Sequence, residues 1–336
     1  MNFHTLQVSN IKKLTADSKE ITFQIPTEFS NNYTFKPGQY VTIQVELNGK
    51  KENRSYSICS SSTQCDTISI GVKQIENGLV STYLNQSVSV GDRMNVSTPD
   101  GQFYIDSIES SIKNYVFFAG GSGITPIMSM LQYVLEKSNA TIYLFYSNKN
   151  MTQTMFHSEL DALNNSNSRL NIKFINTQAG DSRIDETTAL QLISTINGYK
   201  ESQYYVCGPN GIINSVEHSI KKLLISEQNY HREYFTAKDA SDMEATSIGG
   251  AATDVPLSKG EKAQVEIKYE GRKYQFECKY DEKILDAALD SGAEPPYSCM
   301  VAACCTCRAQ VKSGQVEMLD KDALSKKDIE KNFVLT

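Results

Sequence analysis

The chain has 336 residues, enough for two or three domains with ample core, and 40% of them are apolar, with no tryptophan. A net charge of −6 with acids and bases interspersed excludes a nucleic-acid groove or a basic membrane-binding face. No run reaches the ~18 apolar residues of a membrane span, and Met1–Val8 lacks the basic and apolar regions of a secretory leader, so a soluble protein is expected. Cysteines clustered near the C-terminus fit a reducing compartment, with cytoplasm the default.

From Thr5 to about Thr98, short alternating runs such as Thr22–Ile25, Tyr40–Val45 and Thr67–Val72 are set off by Gly, Pro, Asn and Ser. Period two with close turns predicts an antiparallel barrel or sandwich. Arg54-Ser55-Tyr56-Ser57 gathers a guanidinium, a phenol and two hydroxyls. On a strand, Arg54 and Tyr56 share one face, able to pair a phosphate and stack on a flat ring, while the serines take the other. A solvated edge strand with a surface arginine is the competing reading. Glu76-Asn-Gly78 reads as a turn into a short helix, whose N–H groups, with Ser81, suit a pyrophosphate.

Between Asn114 and Phe235 buried strands alternate with helices. The apolar run Tyr115–Ala119 leads into Gly120-Gly121-Ser-Gly123-Ile-Thr125-Pro126, where Thr125 is expected to cap a helix and Pro126 to open it. Glycines here let phosphates approach backbone N–H groups at the helix's positive end. The strand Thr141–Tyr146 ends in Ser147-Asn-Lys149, without an acid. That leans towards NADPH over NADH, unless Lys149 is merely solvated. Gln203–Val206 runs into Cys207-Gly208-Pro209 and a helix from Ile212, and His231-Arg-Glu233-Tyr-Phe235 follows.

Residues 237–260 lack apolar periodicity and read as a flexible tether. Then Ala263–Tyr269 and Arg272–Cys278 alternate across Glu270-Gly271, a hairpin signal, and Ile284–Leu289 is a short helix closed by Gly292. Cys299, Cys304 and Cys307 follow in the C-x4-C-x2-C spacing of a plant-type 2Fe-2S loop. Vicinal Cys304 and Cys305 argue against a disulfide and the single C-x2-C against zinc, though zinc or a plain thiol-rich loop remains an alternative.

The order F-x-P-G-Q (Phe35–Gln39), R-x-Y-S (Arg54–Ser57) and G-x-x-S (Gly78–Ser81) resembles the flavin domain of the ferredoxin-NADP reductase superfamily. The C-G-P turn at Cys207 and the E-x-aromatic ending at Glu233 resemble its nucleotide domain, and the last segment resembles plant-type ferredoxins. The whole order is similar to reductase components of phenylacetyl-CoA epoxidase systems and related oxygenases.

The resemblance implies an antiparallel β-barrel FAD domain (1–108), an α/β parallel-sheet NAD(P) domain (112–236), the tether, and a β-grasp 2Fe-2S domain (261–336) lacking its last strand. Arg54 is implied to bind the FAD pyrophosphate, Tyr56 to stack on the isoalloxazine and Ser57 to reach its N5, with Ser55, Val72, Lys73, Gly78, Val80 and Ser81 also lining FAD. Gly120, Gly121, Gly123, Thr125, Pro126, Ser147, Lys149, Gly208 and Pro209 are implied to bind NAD(P)H. Cys207 and Glu233 are implied to flank the nicotinamide and flavin as catalytic residues with Ser57, and Phe235 to cover the flavin.

The implied activity is electron transfer from NAD(P)H through FAD to the cluster and on to an oxygenase. The flavin converts paired electrons into single ones. A diaphorase with an incompetent ferredoxin module and a non-catalytic redox-sensing adaptor are the alternatives. Two departures stand out: Met300–Ala303 lacks the glycine usual between the first two ligands, and the fourth cysteine is missing. Relatives place that cysteine directly after their Phe-x-Leu-Thr, so the natural product is expected to extend beyond Thr336.

Overall fold

The computed structural model describes residues 2–63, 66–235, 246–249, 260–269, 271–293, 295–297, 305–319, 324 and 326–336, and the chain divides into two units, 1–236 and 237–336. In the first unit, alternating runs become β1 (Phe3–Thr15), β2 (Ser18–Gln24), β3 (Tyr40–Leu47), β4 (Lys50–Ser57), β5 (Thr67–Lys73) and, after helix α1 (Leu79–Gln86), β6 (Arg93–Ser97). They form an antiparallel sheet in the order β4-β3-β6-β1-β2-β5, and a bridge from Ile58 to Ile70 joins its two edges. Ile21, Phe23, Ile43, Ile68, Ile70 and Val96 point inward as its core.

Continuous apolar runs then form a parallel sheet, as strands covered on both faces must. Its elements are β7 (Asn114–Gly120), α2 (Ile124–Lys137), β8 (Thr141–Asn148), α3 (His157–Ser166), β9 (Leu170–Asn176), α4 (Glu186–Ser194), β10 (Gln203–Gly208), α5 (Asn210–Lys222) and β11 (Tyr230–Tyr234). The strand order is β11-β10-β7-β8-β9. The chain leaves β7 towards β8 on one side and returns to β10 on the other, so β7 and β10 flank the switch point where ligands enter such sheets. Among the described residues no helix is long and apolar enough to cross a membrane.

In the second unit β12 (Thr246–Gly249) pairs antiparallel with β16 (Gln315–Met318), β13 (Lys262–Tyr269) with β14 (Arg272–Lys279), and β15 (Arg308–Gln310) with β17 (Phe333–Leu335). Helices α6 (Ile284–Asp290) and α7 (Lys326–Glu330) complete it. The expected hairpin is present, with Tyr269 paired to Arg272 across the turn and Gly271 at φ +77. Strand β12 corrects the reading of 237–260 as tether throughout. One apolar side chain, Ile248, is enough to dock it, 5% exposed in a core with Met318, Val334 and Leu335. Gly249 lies so close to the facing strand that a Cβ would sit 2.2 Å from the Gly314 carbonyl oxygen.

Candidate functional site

Pairing of β3 with β4 sets Val41 opposite Tyr56 and Ile43 opposite Arg54, so Arg54 and Tyr56 share a face and Ser55 and Ser57 take the other. Arg54 is a third exposed; its Nη1 donates to the Asn53 carbonyl at 2.7 Å and lies 3.2 Å from Glu52 Oε2. A solvent-touched pair of this kind is worth little, which leaves the guanidinium available to a stronger anion. Burial pushes the Tyr56 phenol up against the opposing pull of Arg54, keeping the ring neutral. Ser57 is buried, and the Ser55 hydroxyl lies 3.3 Å from that of Thr42.

Gly78 caps α1 where a Cβ would meet Ile75 Cγ1 at 2.3 Å and Ser81 Oγ at 2.5 Å, side-chain atoms that a larger residue would have to displace. Ser81 Oγ accepts from the Ile75 N–H and donates to the Gly78 carbonyl, both at 3.2 Å. Its hydroxyl is committed to this turn, and what the helix end offers an anion is its backbone N–H groups. Val72 and Val80 are barrel core, and Lys73 pairs with Asp17 at 3.7 Å.

In the nucleotide half, a 3-10 turn over Gly121–Gly123 runs straight into α2, which begins at Ile124 with Gly123 as its cap. This corrects the expected cap: Thr125 and Pro126 are the second and third helical residues. The Thr125 hydroxyl donates to the Ser122 carbonyl at 3.0 Å, and its methyl lies where a Cβ on Gly71 of β5 would come within 2.5 Å. Pro126 fits because first-turn N–H groups have no helical acceptor.

The glycines divide by role. A Cβ on Gly123 would lie 2.2 Å from the Cys207 oxygen, and one on Gly208 would lie 2.8 Å from the Gly120 nitrogen. Gly120 would meet Pro209 Cδ at 2.5 Å. These three let the ends of β7 and β10 close on each other. Gly121, at φ +55 with nothing within 4 Å, faces open space.

Cys207 is fully buried, paired with Ala119 on one side and Glu233 on the other. Burial first and the Glu233 charge second push its thiol up, so it stays protonated. Ser147 is buried within β8, which runs two residues past the expected end, and Lys149 is exposed just beyond it.

The two halves meet on one apolar cluster that joins Cys59, Phe103 and Ile105 to Phe117, Ala119, Ile124 and Cys207, with half-buried Phe235 packed against it. Polar contacts cross the same boundary: Lys12 Nζ lies 2.5 Å from Glu159 Oε1, and Ser61 and Thr63 donate to the Glu136 carboxylate at 3.1 and 2.8 Å. Sequence reading missed this set, since charges on alternate strand positions look solvated until the facing helix is known.

Glu20 belongs to it. Burial holds its carboxyl above the usual range, opposed by Lys12, so the folded state binds the extra proton. That penalty is absent below the ordinary value of 4.5 and grows as pH rises towards and through the raised folded value. Glu20→Gln is therefore expected to raise the melting temperature at pH ~8, with the gain fading by pH ~4. Thermal unfolding across that range checks it; a gain that grows in acid contradicts it.

Of the cysteine loop, Cys299 and Cys304 lie outside the described residues, while Cys305 and Cys307 are half-buried. Cys305 holds φ +58. The Cys307 carbonyl accepts from the Thr336 hydroxyl at 3.1 Å and the Thr336 N–H at 3.4 Å, because β17 runs beside β15. Cys278 is buried in β14, its Sγ 3.4 Å from the Glu282 carbonyl oxygen.

Three family models match in sequence: an oxidoreductase FAD-binding domain over residues 5–105, an oxidoreductase NAD-binding domain over 117–218, and a 2Fe-2S iron-sulfur cluster binding domain over 267–336. A component of the 1,2-phenylacetyl-CoA epoxidase of Escherichia coli is 30% identical over 99% of this chain and 94% of its own. The ferredoxin reductase component of a Rhodococcus rhodochrous 3-ketosteroid-9-alpha-monooxygenase is 27% identical over 98% and 92%. The solved phthalate dioxygenase reductase shares the fold at TM-score 0.63 and 21% identity, covering 99% of this chain and 94% of that one. The chain belongs to the ferredoxin reductase superfamily, among the oxygenase-reductase members that join FAD-binding, NAD-binding and 2Fe-2S domains, and it is an electron-transfer oxidoreductase.

Proposed function

We propose that this chain takes electrons from NADPH, in preference to NADH, and delivers them singly through a 2Fe-2S centre to a separate oxygenase in the cytoplasm. The observation that carries the reading is the shared interface: β4, bearing Arg54–Ser57, runs into Cys59, which packs in the same apolar cluster as Cys207 and Ala119. Bound there, FAD supplies the exchange between paired and single electrons. Arg54 and the N–H groups after Gly78 would hold its pyrophosphate, with Ser81 and Val80 shaping that helix end. Tyr56 and Phe235 would cover the isoalloxazine, and Ser55, Ser57 and the backbone of Val72 and Lys73 would line its edge.

For the nucleotide, Gly121 leaves the turn open where phosphates would approach, while Gly120, Gly123, Gly208 and Pro209 set the strand ends that frame it. Thr125 and Pro126 would act by fixing the start of α2. Lys149, without a neighbouring acid, suits a 2′-phosphate near Ser147. The protonated Cys207 and the Glu233 beside it would border the nicotinamide with no charge from the thiol.

Cys299, Cys304 and Cys307 would hold the iron. The Thr336 hydroxyl and N–H, both donating to the Cys307 carbonyl, would fix the backbone at that ligand. We take the functional limits as 1–108, 112–236 and 261–336. The epoxidase and ketosteroid-monooxygenase relatives point to an oxygenase as acceptor. Analysis for FAD, iron and acid-labile sulfide, with initial rates on NADPH and NADH, tests the reading. Flavin without sulfide, or faster turnover with NADH, overturns the corresponding part.

A further inference from the structure

Tyr146 and Asn148 lie at the end of β8, on the face towards α2 and the interlobe cluster, and sequence spacing gives neither a part in the site. Tyr146 is fully buried, yet its hydroxyl donates to the Gly121 carbonyl at 3.0 Å. That carbonyl also accepts from the Ile124 N–H, which closes the 3-10 turn. The C=O of Gly121 and the N–H of Ser122 belong to one trans peptide and point in opposite directions. Holding the oxygen inward therefore turns the Ser122 N–H outward, to the open side of Gly121. A glycine at φ +55 adds no side chain to restrain that peptide, so the phenol is the second anchor on its plane beside the Ile124 N–H, and losing it loosens the plane.

Asn148 sharpens the point. Its side chain is 7% exposed, and its Nδ2 is buried with no hydrogen-bond partner. The amide is close enough to Tyr146 to favour the ionised phenol, though burial dominates and pushes the phenol up. A buried donor left unpaired is costly in the protein alone, and the cost is recovered when a ligand brings an acceptor.

We propose that Tyr146 is the positioning residue that orients the Gly121–Ser122 peptide for the phosphates of NAD(P)H, and that Asn148 supplies a second donor completed only when the nucleotide is bound. The inference rests on the nucleotide reading of the glycine turn and adds residues to it.

Tyr146→Phe removes one hydroxyl. Dissociation constant and KM for NAD(P)H are expected to rise about tenfold, with saturated diaphorase kcat and FAD content held within about twofold. Asn148→Leu keeps the volume and removes the unpaired donor. It is expected to weaken the nucleotide in the same direction while leaving the melting temperature of the nucleotide-free protein unchanged or higher, the opposite of a structural defect. Dissociation constants within about twofold of wild type overturn the proposal, as does a fall in melting temperature without a change in KM. If Tyr146→Phe does not fold, Asn148→Leu decides by the same criteria. A wild-type protein that binds no dinucleotide overturns the reading of the turn as well; normal wild-type binding with unchanged variants overturns only the roles of Tyr146 and Asn148.

Discussion

Gly123→Ala is expected to cost about 3 kcal/mol or more, read as a melting-temperature drop of roughly 6–12 °C, or to leave the protein insoluble. The added Cβ would sit 2.2 Å from the Cys207 oxygen, 2.5 Å from its carbonyl carbon and 2.8 Å from the Gly208 nitrogen. All three are backbone atoms held by β10, so no side chain can swing away, and relief requires α2 to lift from the strand ends. Two controls separate this from a generic glycine effect. Gly121→Ala meets no atom and bears only the positive φ, expected at about 1 kcal/mol. Gly211→Ala, in the first turn of α5 with open space and no positive φ, is expected to be neutral or to stabilise by up to about 1 kcal/mol. Thermal unfolding of the three ranks them; Gly123→Ala as mild as Gly121→Ala contradicts the close approach.

Arg54→Ala is expected to weaken FAD binding by about 10- to 100-fold, the worth of one charge-assisted hydrogen bond to a pyrophosphate. Its stability cost should be small, because the pair with Glu52 is partly exposed and weak. Fluorescence titration of the apoprotein with FAD reads the first effect and thermal unfolding the second. Arg54→Lys should recover only part of the affinity, since an ammonium cannot reproduce the planar fork. Unchanged FAD affinity in Arg54→Ala removes Arg54 from the site.

The barrel and the parallel sheet are legible because residue type follows strand type: apolar and polar residues alternate along Val41–Leu47, and the apolar run is unbroken over Tyr115–Ala119. The glycine turn is legible as chemistry but not as geometry. Spacing cannot tell that Gly123 serves backbone packing while Gly121 faces open space, since that depends on where β10 lies. The start of α2 differs from expectation because a 3-10 turn over the glycines feeds the helix before Thr125 has any chance to cap it. Sequence spacing offers Ser81 to a ligand, whereas its hydroxyl closes the Ile75–Gly78 turn. Strand β12 is invisible to any window average, since a single isoleucine and a tight glycine dock it. Tyr146 looks like another apolar strand residue, and only its bond to Gly121 shows otherwise.

The relay itself is tested most directly by the visible spectrum of the purified chain during anaerobic titration with NADPH and then NADH. The account predicts overlapping flavin and iron–sulfur absorption, both bleached by substoichiometric to stoichiometric nucleotide, with NADPH the more effective. A protein that takes up no FAD, or whose bound flavin is bleached by neither nucleotide, contradicts it.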